Sequence, residues 1–128
     1  MRASGFTLLE LLIVLALIGL VAAVVVPGLA RTYDAIVSSG ERADVVRALE
    51  GLPLRARSAG ESIAIDRGDR RALAAHLQLP EGWTVDLEEP LRIEHTGLCH
   101  PTRVRVAGRG AVESWTLGAP SCGVADAR

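Results

Sequence analysis

Glu10 is the first candidate for a functional side chain, because it is a carboxylate near the start of a long apolar run. A charge at the centre of a membrane helix costs about 2.5–3.5 kcal/mol, and less near the membrane surface. Among packed helices, away from lipid headgroups, Glu10 would need a cationic partner at a similar depth. An α-amino group, with an ordinary pKa of about 7.7–8.0, would serve if a neighbouring chain began close to Phe6.

Two cysteines, Cys99 and Cys122, are the only ones in the chain. In a protein whose bulk lies outside the cytoplasm, an isolated pair indicates a disulfide. Closing a loop of that length contributes about 3 kcal/mol in the chain-entropy model. Two free thiols in a cytosolic protein are the alternative.

The other reactive side chains match no catalytic or metal-binding pattern. His76, His95 and His100 form neither a CxxC nor an HExxH spacing with the cysteines. No serine lies in a G-x-S-x-G context. Residues 108–110 are not a phosphate loop, because no helix with a Lys-Ser/Thr start follows them. We therefore expect no metal, no cofactor and no enzymatic activity.

Arg103, Arg105 and Arg109 are the candidates for contact with nucleic acid. Three arginines could neutralise about three phosphates, which would give weak, salt-sensitive binding. The aromatic content of 3% leaves little to stack on bases, and the net charge of −1 gives no overall attraction. We favour the alternative that these arginines lie on a solvated strand face with Glu94 and Glu113 as partners.

The element that must position Glu10 is a helix over residues 6–26. At 1.5 Å per residue it spans about 30 Å, the thickness of a bilayer's hydrocarbon core. A secretory signal has an apolar stretch of only 7–15 residues followed by a cleavage site, and here the apolar run is longer and continues. The pattern predicts a membrane helix that the mature protein keeps.

The sequence GFTLLE at residues 5–10 resembles the processing site of type IV pilins and of the pseudopilins of type II secretion. The similarity extends over about the first thirty residues. In that family a prepilin peptidase cuts after the glycine on the cytoplasmic side and methylates the new amine. The resemblance implies cleavage between Gly5 and Phe6, N-methylation of Phe6, and pairing of Glu10 with the amine of the adjacent subunit.

Beyond the apolar run, apolar residues between Leu29 and Leu49 recur near helical spacing, which predicts an amphipathic continuation of the helix packed on a domain. Pro27 with the following glycine predicts a kink or local unwinding. Gly51 and Pro53 predict the end of the helix.

The remaining sequence predicts an antiparallel sheet. Residues 54–60 have the pattern of a loop, and Asp69 can cap a short helix. Alternating segments then predict about four strands with one face against the amphipathic helix, and a hairpin tip at 108–110. The segments with strand-like alternation are 63–65, 85–87, 91–93, 104–106 and 115–117.

The predicted fold is α+β and pilin-like. A long N-terminal helix, membrane-spanning in its first half, packs on a small antiparallel sheet. The predicted domains are a leader (1–5), the transmembrane and assembly half of the helix (6–28), its amphipathic half (29–52) and a periplasmic β-rich domain (53–128).

The resemblance implies a single-pass protein of the bacterial inner membrane whose C-terminal domain is periplasmic. Its partners would be other pseudopilins or pilins, the prepilin peptidase and an inner-membrane assembly platform. Major pseudopilins commonly carry an acid-lined calcium loop near the C-terminus, and after Glu94 this chain has only Glu113 and Asp126. Some tip subunits lack the acid that Glu10 supplies.

The first hypothesis is therefore a minor pseudopilin, H-type-like, of a type II secretion system. A minor type IV pilin of a competence or motility pilus, with DNA binding through the arginines, is the alternative. A third hypothesis is an anchored periplasmic protein that is never processed.

Overall fold

The structure, a computed structural model, describes residues 4–125. These residues divide into two compact units, one up to Ser38 and one from Ser39 onward. In chain order the elements are α1 (Leu8–Glu50), α2 (Leu52–Ala59), β1 (Ile63–Ile65), α3 (Arg70–His76), β2 (Thr84–Leu87), β3 (Leu91–Ile93), β4 (Thr102–Gly108), β5 (Ala111–Gly118) and β6 (Gly123–Ala125).

The first unit is helical from Leu8 onward. Among the described residues there is one helix long and apolar enough to cross a membrane by its length and composition, and none of its apolar window is buried. Pro27 lies inside α1, which stays helical on both sides of it. The predicted local unwinding at Pro27 is therefore absent from this helix.

The core of the second unit combines the end of α1 with α2, α3 and the strands. Val45 and Leu49 are the buried residues of α1, and Trp115 of β5 is fully buried. The prediction that packing begins at Leu29 is wrong, because Leu29 and Tyr33 are 63% and 69% exposed. An apolar helical stripe indicates a face that can be buried and does not identify what buries it.

The strands form two antiparallel sheets. All five segments with strand-like alternation are strands, but they are divided between the two sheets. The larger sheet has the order β2-β4-β5-β6 and contains three of the predicted segments, while β1 and β3 pair separately. The short strand β6 was not predicted, because three residues with two small side chains give no clear alternation. The α+β, pilin-like fold class is confirmed.

Residues 54–60, predicted as a loop, belong mostly to α2. Pro53 lies in the first turn of this helix, where its missing N–H costs no hydrogen bond. Gly60 ends the helix in the left-handed conformation (φ 66°), which glycine adopts at little cost. The predicted end of the first helix at Gly51 and Pro53 is confirmed, since α1 ends at Glu50, and Pro53 also lies in the first turn of the next helix.

The β4–β5 hairpin has its tip at the predicted place. Gly108 pairs with Ala111, and the two residues between them, Arg109 and Gly110, have φ values of 49° and 78°. Positive φ at both positions is the requirement of the type I′ turn, whose twist suits a hairpin. Beside this turn, Trp83 lies directly over Gly108, where an added Cβ would be 2.3 Å from Cδ2 of the indole.

We expect Gly108→Ala to lower the free energy of unfolding by about 1–3 kcal/mol, because the new methyl group must displace the indole of Trp83. That indole cannot move freely, since its Nε1 donates a hydrogen bond to Glu41. The matched control is Gly40→Ala, a helical position with nothing within 4 Å of the added Cβ. The control should gain up to about 1 kcal/mol from helix propensity. Urea unfolding followed by tryptophan fluorescence measures both, and equal midpoints for the two variants would contradict the clash.

Candidate processing and assembly site

The peptide bond between Gly5 and Phe6 lies just before the first helix. Residues 4–7 are outside any regular element, and α1 begins at Leu8. The side chain of Phe6 is 78% exposed, and nothing lies within 4 Å of the position that a Cβ of Gly5 would occupy. A peptidase needs access to a non-helical backbone, and this bond offers it.

Thr7 is the residue that starts the helix. Its Oγ1 accepts a hydrogen bond from the backbone N–H of Glu10 at 3.3 Å, and its carbonyl accepts from Leu11 at 3.2 Å. This role could have been predicted, because a Thr followed three residues later by Glu is the pattern of a capping box. Thr7 therefore holds Glu10 in the first turn of the helix, where the positive end of the helix dipole favours a carboxylate.

The carboxylate of Glu10 is exposed, and within residues 4–125 it makes no hydrogen bond or ion pair. Because it belongs to an apolar helix, its partner in any packed assembly has to come from another molecule. The geometry is thus compatible with the predicted pairing to a neighbouring amine, which stays a prediction.

The two cysteines are joined. Cys99 and Cys122 form a disulfide with a Cα–Cα distance of 5.4 Å, and both are buried. The backbone N–H of Cys99 also donates to the carbonyl of Pro120 at 2.8 Å, and Cys99 makes a β-bridge with Ile93. The disulfide therefore connects the neighbourhood of β3 to the turn between β5 and β6.

Each arginine of the predicted basic patch is paired with a glutamate. Arg103 contacts Glu89 at 2.7 Å and Arg105 contacts Glu88 at 3.0 Å. The hydrogen bond from Arg103 lowers the pKa of Glu89, and the same bond raises the pKa of Arg103. Carboxylates placed against these guanidinium groups compete with phosphate for them.

The expected partners of these arginines, Glu94 and Glu113, are occupied elsewhere. Glu94 lies 3.1 Å from Nε2 of His100, and Glu113 accepts two hydrogen bonds from Arg42. The prediction that these arginines pair with acids on a strand face is thus supported, but the acids differ from the predicted ones. The predicted partners are wrong because β2 runs beside β4, so that the two glutamates directly after β2 lie next to the arginines.

Two consecutive residues of α1, Glu41 and Arg42, form ion pairs with the β4–β5 hairpin, and we call these two pairs the clamp. Glu41 accepts from Arg109 at 2.8 and 2.9 Å, besides its bond from Trp83 at 3.0 Å. Arg42 forms a two-pronged pair with Glu113 at 2.7 and 2.6 Å and lies 5.1 Å from the ring centroid of Trp115. These pairs could not be predicted from local patterns, because their members are about seventy residues apart in the chain.

We expect acid to destabilise the unit from Ser39 through this clamp. Hydrogen bonds from Arg109 and Trp83 lower the pKa of Glu41 from 4.5 to about 2. A lowered pKa stabilises the folded state fully above pH 4.5, and this contribution is lost as the pH falls towards 2. Urea unfolding at pH 7, 4 and 3 measures the loss. Glu41→Gln should flatten the pH dependence, and an unchanged slope in that variant would contradict the assignment.

The three histidines are considered as candidate metal ligands. Among residues 4–125 no group of three His, Cys, Asp or Glu side chains could hold a metal ion. Asp126, one of the two acids after Glu94, lies outside the described residues, as do the leader residues Met1, Arg2 and Ala3.

The comparison with protein families finds one match. Residues 1–26 match the prokaryotic N-terminal methylation motif. No curated protein and no solved structure matches the chain. The motif confirms the resemblance at the N-terminus, whereas cleavage at Gly5 and the role of Glu10 remain predictions.

Proposed function

We propose that this chain, a type IV pilin-like protein by its N-terminal methylation motif, is a minor pseudopilin, H-type-like, of a type II secretion system. It is stored in the bacterial inner membrane with its C-terminal domain in the periplasm. After processing it assembles, together with other pseudopilins, into a periplasmic filament that helps to drive protein export. It acts as a structural subunit and catalyses no reaction.

The observation that carries this proposal is the exposure of the apolar half of α1. None of the membrane-length window is buried by the rest of the chain. Burying apolar surface is worth about 25 cal/mol per Å², so the helix has to find another apolar environment. Lipid supplies it for the stored subunit, and the helices of neighbouring subunits supply it in a filament.

Processing supplies the partner that Glu10 needs when the helix leaves lipid for the filament. Cleavage between Gly5 and Phe6 creates an amine close to the helix start, about one turn from Glu10. In a filament, where lipid headgroups and water are absent, the carboxylate of Glu10 and the amine of the next subunit neutralise each other. A subunit shifted along the filament leaves both charges unpaired, so this pair favours one register.

The alternative of a DNA-binding minor pilin receives less support. Arg103, Arg105 and Arg109 each contact a carboxylate, and phosphate binding would require these pairs to open. The sum of their charges with the paired acids is zero, which leaves little counterion release to drive binding.

Mass spectrometry of the mature chain tests the proposal most directly. We expect a chain that begins at Phe6 and carries one added methyl group, and the uncut chain in a host that lacks the prepilin peptidase. Deleting the gene should block secretion across the outer membrane and leave DNA uptake unchanged. An uncut chain in the normal host, or a deletion that abolishes DNA uptake alone, would overturn the proposal.

A further inference from the structure

The apolar run of α1 is bounded by a charge at each end. Glu10 and Arg31 are separated by residues 11–30, twenty residues without a single charge. All of them are helical, and a helix of that length rises about 30 Å. Since this equals the thickness of the hydrocarbon core, the two charges can lie at opposite membrane surfaces at the same time.

At the second end of the apolar run, two of the three residues from Arg31 to Tyr33 have polar side chains without a partner in the described part of the chain. The side chains of Arg31 and Tyr33 are exposed, and neither side chain makes a hydrogen bond or ion pair within residues 4–125. Thr32, between them, differs because its Oγ1 donates to the carbonyl of Gly28 at 3.0 Å. Of these three side chains, Arg31 and Tyr33 are therefore the ones with unsatisfied polar groups.

The chemistry of these two side chains suits a phospholipid surface. A guanidinium group forms charge-assisted hydrogen bonds to phosphate, and its alkyl stem can remain along apolar surface. Tyrosine is enriched where a membrane helix meets the headgroups, because its ring is apolar and its hydroxyl is polar. Tyr33 is the only tyrosine of the chain.

We infer that Arg31 and Tyr33 anchor α1 at the phospholipid headgroups of one membrane surface and thereby set the depth of Glu10 at the other. The inference rests on the proposed membrane storage of the subunit. With Arg31 held at the headgroups, the twenty apolar residues bring Glu10 to the opposite interface, where a carboxylate is hydrated. The carboxylate is then stored at low cost and close to the point where the next subunit's amine is made.

The inference can be tested with the full chain in vesicles of phosphatidylethanolamine and phosphatidylglycerol. The native cysteines are joined in a disulfide, so a spin label on Leu12→Cys reports the depth of the helix start alone. We compare this protein with the double variant Arg31→Leu/Tyr33→Leu, which removes no side-chain hydrogen bond or ion pair within residues 4–125. Relaxation by oxygen and by a water-soluble nickel chelate measures the depth of the label.

Loss of the anchor should let residues 31–33 enter the hydrocarbon core. Three residues correspond to about 4.5 Å, so the label should move towards water by about that distance. Arg47→Leu is the matched control, since it removes one exposed arginine of α1 that pairs with Asp44 in the unit from Ser39. Arg31→Lys should keep the original depth.

The outcomes separate this inference from the proposed function. Normal insertion with an unmoved label in the double variant, or an equal movement in Arg47→Leu, overturns the anchoring role and leaves the pilin proposal standing. A native chain that does not float with the vesicles overturns both.

Discussion

We expect Glu10→Ala to abolish incorporation of the chain into filaments and to leave membrane insertion and the predicted cleavage after Gly5 intact. The apolar helix that inserts into lipid is unchanged, and alanine costs less than a carboxylate in a membrane. In a filament the variant leaves the amine of the neighbouring subunit buried without a counter-charge. Removing one partner of a buried ion pair costs about 3–5 kcal/mol, which corresponds to a loss of more than a hundredfold in subunit affinity.

The measurement is the fraction of the chain recovered in sheared filaments or in cross-links with its partner subunits. Glu10→Gln has the size of the native side chain and should fail like alanine if charge is what matters. Glu81→Ala is the matched control, because it removes an exposed acid of the second unit. Normal co-assembly of Glu10→Ala would contradict the predicted role, and failure of Glu81→Ala would show that assembly depends on net charge alone.

The N-terminal methylation motif could be predicted from the sequence because its signals are local. Cleavage position, carboxylate and apolar length lie within about thirty consecutive residues, and each has a physical meaning without reference to the rest of the fold. The cap formed by Thr7 belongs to the same class of signal and could have been predicted. Asp69, whose side chain accepts from Ala72 at 3.0 Å, was predicted on this basis.

The clamp between α1 and the hairpin could not be predicted in this way. Alternation along a strand assigns side chains to one of two faces, which places Glu113 and Arg105 correctly relative to their own strand. Which acid meets which arginine depends on the register of β2 against β4 and on where α1 crosses the hairpin. Both depend on how the core packs, in which Val45 of α1 and Trp115 of β5 are fully buried.

Which apolar residues of α1 are buried also depends on packing between distant parts of the chain. Leu29 and Tyr33 are four residues apart, and so are Val45 and Leu49, yet only the latter two are buried. At about 100° per residue the two pairs lie on nearly opposite faces of α1, so helical spacing alone does not tell which apolar face the domain covers. In our proposals the first pair meets lipid headgroups or neighbouring subunits, whereas the second pair belongs to the core.

Removing the disulfide should have the largest effect on the stability of the second unit. We expect Cys99→Ala/Cys122→Ala to lower its free energy of unfolding by about 3 kcal/mol, since the bond closes a loop with a sequence separation of 23. Small domains have total stabilities of about 5–15 kcal/mol, so this loss removes a large part of the margin. Both sulfur atoms also leave buried space behind, which adds to the cost.

Urea unfolding of the detergent-solubilised chain, followed by the fluorescence of Trp83 and Trp115, measures this difference. Ser121→Ala is the matched control, because Ser121 is exposed and precedes Cys122 in the same turn. Reducing the native protein after unfolding, and then refolding it under reducing conditions, should give nearly the midpoint of the double variant. If the double variant kept the native midpoint, the loop between the two cysteines would have to be held by its own contacts, namely the hydrogen bond from Cys99 to Pro120 and the bridge to Ile93. If it unfolds early, as we expect, these backbone contacts depend on the covalent link, and the unit reaches its full stability only in an oxidising compartment.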